Sequence, residues 1–102
     1  MKNIKMNLEE INNQLKNLPG WQFKDYFLVR KFKFNDFNEA FTFMTAVAAI
    51  ANEANHHPNW SNVYNQVDIS LTTHDLGGVS HRDILLASAI NELVMNFSSQ
   101  LN

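Results

Sequence analysis

Cysteine is absent from this chain. That absence removes disulfides, thiol catalysis and thiolate metal ligands from consideration. Runs of basic residues are missing too. Eight Lys and Arg stand against ten Asp and Glu, giving a net charge of −2 with the histidines neutral. A surface without a cationic stripe has no electrostatic footprint for a phosphate backbone, so no direct nucleic-acid binding is expected. The longest unbroken apolar run is Ala46 to Ala51, far short of the ~20 residues that cross a bilayer. The opening MKNIKMNLEE lacks the apolar centre of a secretory signal. No membrane contact is expected, and the cytoplasm is the expected compartment. Internal repeats, linkers and low-complexity tracts are also lacking.

What is present describes a folded globule. The chain has 102 residues, 45% of them hydrophobic and 18% charged. That length corresponds to one domain, residues 1–102, which buries about two-thirds of its unfolded surface. Eight phenylalanines point to a core filled by aromatic packing.

Periodicity divides the chain into seven elements. Leu8, Ile11, Leu15 and Leu18 recur at helical spacing. Asn7 with Glu10 reads as a capping box, and Pro19-Gly20 ends the segment. Trp21 to Phe34 reads as two strands with a turn at Asp25, Lys31-Phe32-Lys33-Phe34 alternating with period two. Asp36, with Glu39 in the capping-box position, opens a long helix to about Asn55. Its expected core stripe is Phe37, Ala40, Phe41, Met44, Val47, Ala48 and Ala51. Pro58 then biases His57 away from helical geometry. From Val63 the period returns to two: Val63, Val67, Ile69 and Leu71 face one way, Tyr64, Gln66, Asp68, Ser70 and Thr72 the other. This run reads as one long strand or as a strand with a bulge near Asn65. Gly77-Gly78 marks a loop, and Ser80 with Asp83 reads as a further capping box. Leu86, Ala87, Ile90, Leu93, Val94 and Phe97 line a last amphipathic helix. The expected class is α+β, ordered α-β-β-α-β-β-α. One-sided alternation implies an antiparallel sheet of about four strands with helices packed on one face.

The residues that can carry chemistry lie between Asn52 and Asp83. His56 and His57 are adjacent at a helix end, stiffened by Pro58. His74 follows the second strand region, and Asp83 stands early in the last helix. Imidazole exchanges protons near neutral pH without any shift of its ordinary pKa, which suits a reaction that gives one proton and takes another. Plainer roles compete. Two histidines at a helix C-terminus also favour the negative end of its dipole. Asp83 also serves its capping box, and Trp60 and Tyr64 are also candidates for the core. His81 has no pattern around it and is expected to be solvated. Three histidines and a carboxylate form a metal donor set in composition, but neighbouring side chains rarely converge on one ion, so no metal is expected.

Together these residues resemble the pterin-4a-carbinolamine dehydratase family, over roughly Leu18 to Leu93. The resemblance rests on His56-His57-Pro58, Trp60, Tyr64, His74 and Asp83 in their order and spacing. Phe41-Thr42-Phe43-Met44, Asn62-Val63-Tyr64, Thr73-His74-Asp75 with Gly77-Gly78, and Arg82-Asp83-Ile84 extend it. One position departs. Where the family often has glutamate, four residues before the first histidine, this chain has Asn52. Glu53 lies one step along, a rotation of about 100° on a helix, and does not replace it. Asn52 can hydrogen-bond a histidine but does not stabilise an imidazolium as a carboxylate does. Asn55 also stands where an acidic residue is common.

The resemblance implies a hydro-lyase that converts 4a-hydroxytetrahydrobiopterin to the quinonoid dihydropterin and water, recycling the cofactor of aromatic amino-acid hydroxylases. It implies no cofactor and no metal. His57 and His74 take the acid and base roles, and His56 orients the ring. Trp60 and Tyr64 shape the pocket, while Asp83, Asn52 and Arg82 support it. It further implies a homodimer or homotetramer. Two other readings follow from the same family: a non-catalytic interaction module of the dimerisation-cofactor kind, and a paralogue acting on another pterin.

Overall fold

The computed structural model describes residues 4–97. The elements are α1 (Leu8–Leu15), β1 (Gln22–Lys24), β2 (Phe27–Lys33), α2 (Phe37–Ala54), β3 (Asn59–Val63), β4 (Gln66–Leu71) and α3 (His81–Val94), with a 3-10 turn at His74–Leu76. The expected α-β-β-α-β-β-α order is thus observed.

Local chemistry sets most of the boundaries. Asn7 and Glu10 close a reciprocal capping box on α1, and Ser80 and Asp83 do the same for α3. Asp36 caps α2 through the Glu39 N–H. The Glu39 carboxylate reaches back to the Asn35 N–H, one residue beyond the cap. The β1–β2 hairpin turns at Asp25 and Tyr26, both at positive φ (52° and 74°), the combination that suits a two-residue turn to strand twist. α2 ends on Asn55, whose left-handed φ of 52° is a usual helix terminator.

The strands form one antiparallel sheet in the order β1-β2-β4-β3. Its inner face carries Leu28 and Phe32 from β2 and Val67, Ile69 and Leu71 from β4, all buried. These meet Phe43 and Val47 of α2 and Ile90 of α3 in one core. The outer face presents Lys31, Asp68, Ser70 and Ser61, so the sheet is covered on one side, as its alternation implies. A polar clasp ties the α1–β1 loop to α3. Asn91 Oδ1 accepts from Trp21 Nε1 at 2.7 Å and from Arg30 Nη1 at 2.6 Å, while Asn91 Nδ2 donates to the Pro19 carbonyl. Burial lowers the Arg30 pKa from its ordinary value. Gly20, at φ +89°, leaves room for that guanidinium, since a Cβ there would lie 2.4 Å from Arg30 Nε.

Two expectations are corrected. The first concerns the α2 stripe. Phe43 is fully buried, whereas Phe37 and Phe41 are 45% and 52% exposed and Ala48 is exposed. α2 is apolar around most of its girth, so two overlapping stripes satisfy helical periodicity. Contact decides between them, because Phe43 packs 4.9 Å from both Phe32 and Phe34, ring to ring. The second concerns Val63, which is 73% exposed. The run from Val63 is not one strand: Tyr64 and Asn65 form a hairpin turn, with Tyr64 at φ 51°. Val63 pairs with Gln66 and so shares the outer face. Leu8, in the first turn of α1, is exposed.

Candidate active site

The site is built where α2 ends and α3 begins. Asn55 turns the chain out of α2 while the His56 N–H still bonds the Ala51 carbonyl at 3.0 Å. Pro58 prevents further helix, and β3 starts at Asn59. The two histidines therefore leave the helix end in different directions. His56 is buried, whereas His57 is exposed.

The sheet brings the other components alongside. β3 and β4 are antiparallel, with Asn59 opposite Ser70. The entry of β3, just after His57, thus neighbours the exit of β4, just before Thr72, Thr73 and His74. Thr73 is fully buried and pairs with Gly78 across the loop, its N–H bonding the Gly78 carbonyl at 2.9 Å. His74 opens the 3-10 turn and is exposed, its ring edge-on to Phe27 at 6.4 Å. Thr72 Oγ1 donates to the Tyr26 carbonyl at 2.8 Å, fixing this segment to the β1–β2 hairpin.

Asp83 joins the parts and is fully buried. Its Oδ1 lies 2.5 Å from His56 Nε2. Its Oδ2 accepts from Thr73 Oγ1 at 2.8 Å and from the Ser80 N–H at 2.9 Å. Thr73 Oγ1 and Ser80 Oγ are 2.6 Å apart. The capping role read for Asp83 and the histidine contact are both present, one on each carboxylate oxygen.

Beside this buried cluster lies an open groove of about 820 Å³, lined by Thr45, Ala48 and Asn52 of α2 and by His57, Pro58 and Trp60. That volume suits a small organic ligand. Asn52 Oδ1 stands 3.3 Å from His57 Nε2. Arg82 lies by the 3-10 turn, its Nη2 3.5 Å from Asp75 Oδ1 and its Nε buried without a partner among the described residues. Tyr64 is elsewhere. It sits at the hairpin turn, the far end of β3 from His57, about 17 Å away along a five-residue strand. Within one chain, Tyr64 is not brought to the histidines. His81, at the start of α3, is half-buried.

Sequence reads Thr73 only as part of a motif and Ser80 only as a helix cap, neither as a site residue. The available signal was their setting: Thr73 precedes His74, and Ser80 caps the helix that carries Asp83. Among the described residues, no three His, Cys, Asp or Glu side chains are grouped to hold a metal ion. Nor is any helix of those residues long and apolar enough to cross a membrane.

The comparisons with known proteins agree with one another. A family model described as pterin 4 alpha carbinolamine dehydratase matches residues 4–93. A relative from Prochlorococcus marinus (strain MIT 9215) is 53% identical over 85 residues, 83% of this chain and 88% of the relative. Another, from Synechococcus sp. (strain WH7803), is 58% identical over 76 residues, 74% of this chain and 82% of its own length. Both carry the provisional name pterin-4-alpha-carbinolamine dehydratase. Among solved structures, a transcriptional coactivator/pterin dehydratase from Brucella melitensis superposes with a TM-score of 0.84 at 42% identity, covering 87% of this chain and 97% of that one. A pterin dehydratase-like protein identified as a RuBisCO assembly factor in the alpha-carboxysome gives a TM-score of 0.60 at 26% identity, covering 72% and 84%.

Proposed function

Because the chain belongs to the pterin 4 alpha carbinolamine dehydratase family, we propose that it is a working dehydratase. Its substrate is a 4a-hydroxytetrahydropterin, and its products are the quinonoid dihydropterin and water. The observation that carries this reading is the buried Asp83–His56 pair, set beside His57 and at the same sheet end as His74.

The reaction moves two protons. An acid gives one to the C4a hydroxyl as the lone pair of the adjacent ring nitrogen pushes out water. A base takes the proton from that nitrogen. The family resemblance gives these transfers to His57 and His74, without deciding which is the acid, and leaves His56 to orient the ring. The geometry favours another division. A carboxylate facing Nε2 of His56 stabilises the positive charge that ring acquires when Nδ1 takes a proton. His57 has only the neutral Asn52 beside it and lies in the groove with Trp60. We therefore assign proton transfer to His56 and His74, and pterin binding to His57, Asn52 and Trp60. Arg82 steadies the turn carrying His74 through Asp75. The reaction needs no metal or nucleotide. In the cell it serves the recycling of tetrahydrobiopterin for aromatic amino-acid hydroxylases, in the cytoplasm, by a homodimer or homotetramer.

Stopped-flow absorbance of chemically generated 4a-hydroxytetrahydropterin tests the reading. Acceleration by the purified chain that disappears in His56→Ala and in His74→Ala supports it. No acceleration by the folded protein overturns it.

One observation favours a second reading, an interaction module. Phe37 and Phe41 are exposed on α2 with their rings 5.6 Å apart, and a protein of this fold is identified as an assembly factor. Under that reading, Phe41→Ala abolishes partner binding and the histidine variants change nothing.

A further inference from the structure

We propose that Thr73 and Ser80 are positioning residues: a hydroxyl chain running from Ser80 through Thr73 to Asp83 fixes that carboxylate and holds His56 with its proton on Nε2 and Nδ1 free for the pterin. The proposal rests on the dehydratase reading for what His56 acts upon, and on the hydrogen bonds alone for the chain itself.

Counting protons fixes the direction of every link. An ionised carboxylate only accepts, so the Thr73 hydroxyl spends its single proton on Asp83 Oδ2, 2.8 Å away. The 2.6 Å contact between Thr73 Oγ1 and Ser80 Oγ must then be donated by Ser80. Ser80 Oγ in turn accepts from the Arg82 N–H at 3.3 Å. With Oδ2 occupied by Thr73 and by the Ser80 N–H, Oδ1 is left to accept from His56 Nε2. Nδ1 of His56 has no hydrogen-bond partner among the described residues. The buried side-chain atoms left unpaired among those residues are Asp68 Oδ1 and Arg82 Nε. Nδ1 is therefore the ring nitrogen that remains accessible.

Two features separate this from ordinary helix capping. A capping box needs only Ser80 and Asp83, whereas Thr73 comes from the β4 exit and is superfluous to the cap. Thr73, Ser80 and Asp83 are also fully buried, so solvent is shut out from replacing a lost hydroxyl. The backbone of Thr73 is pinned as well, its N–H on Gly78 and its carbonyl accepting from Leu76 and Gly77. The residue that orients the partner of His56 thus also anchors the turn carrying His74.

The test uses the full chain, ¹⁵N-labelled, with long-range imidazole ¹H–¹⁵N spectra beside the stopped-flow assay. Wild type is expected to show His56 in the Nε2–H form. In Thr73→Val the His56 signature changes and kcat falls about 10-fold, the low end of the range for supporting partners, because Thr73 acts on His56 through Asp83, with KM within about twofold. Thr73→Ser restores both. A folded Thr73→Val with wild-type His56 signals and kcat overturns the proposal, as does Thr73→Ser performing no better than valine. If the valine variant does not fold, the wild-type spectrum decides: an Nδ1–H tautomer overturns the proposal, and an Nε2–H tautomer with a slowly exchanging Thr73 hydroxyl proton supports it. A protein that fails to dehydrate the pterin but loses the His56 signature in Thr73→Val keeps the positioning chain and loses the dehydratase reading.

Discussion

Asp83 Oδ1 lies 2.5 Å from His56 Nε2, joining the end of α2 to the first turn of α3 across 27 residues of sequence. Both groups are largely withdrawn from water, His56 at 8% exposure and Asp83 at 0%. A contact between buried polar groups is informative because leaving either unpaired is expensive. The same carboxylate caps α3, so one residue serves both stability and the site.

Asp83→Asn separates the two. The amide keeps the shape but removes the charge facing His56, and an NH₂ placed at the Oδ2 position accepts from neither Thr73 nor the Ser80 N–H. The dehydration rate is expected to fall about 10²-fold or more, within the range for a lost acid–base group. Stability is expected to fall by ~1–3 kcal/mol, the penalty for a disrupted buried hydrogen bond. Urea titration and stopped-flow rates on one preparation give both numbers. A stable variant with wild-type kcat would sink the role given to the pair.

His56 and His57 are adjacent, yet opposite kinetic signatures are expected. His56→Ala removes the group assigned to proton transfer, so kcat drops by about 10²–10⁴-fold. His57→Ala removes a groove residue, so KM rises while kcat changes little. Steady-state kinetics of the two variants check this. The reverse pattern returns proton transfer to His57.

Much of this arrangement was legible in the sequence, and the illegible parts have physical reasons. Asn7–Glu10 and Ser80–Asp83 are local signals, and both capping boxes form. The hairpin at Asp25 is equally local. What sequence could not decide is which of two adjacent histidines turns inward. That depends on the left-handed Asn55 and on a carboxylate 27 residues away. The start of β3 was hidden for another reason: Asn59-Trp60-Ser61-Asn62 has too few apolar residues to alternate, and its pairing with β4 supplies the order. Tyr64 followed the same pattern as its neighbours and gave no sign of a turn, since its positive φ is unusual outside glycine and asparagine.

The two candidate stripes of α2 yield a paired prediction. Phe43 is buried among Phe32, Phe34 and Phe97, so Phe43→Ala is expected to destabilise by about 3–5 kcal/mol. Phe41 is 52% exposed, so Phe41→Ala is expected to leave the intrinsic stability of the chain within about 0.5 kcal/mol. If a homo-oligomer forms, and through this helix face, Phe41→Ala lowers the mass seen by light scattering. Denaturation at several protein concentrations separates the two effects. Equal stability losses for both variants at low concentration would overturn the assignment of the core stripe.

The last prediction concerns Asn52, the position where this chain departs from the pattern it otherwise resembles. Its Oδ1 stands 3.3 Å from His57 Nε2, at the open side of the groove. A neutral amide at that distance orients the ring by hydrogen bonding. In Asn52→Glu, a carboxylate near His57 favours the charged imidazole. The sign follows directly: the His57 proton is then lost at higher pH, so the limb of the pH–KM profile that reports His57 moves upward. The shift is expected to be small, because His57 is exposed and water screens the pair. On the proposed assignment of proton transfer to His56, kcat is expected to change little across the same pH range. Steady-state kinetics across pH for wild type and Asn52→Glu, in matched ionic strength, check both halves. A shift confined to kcat would mean that His57, not His56, handles the proton, and would restore the assignment that the family resemblance implied.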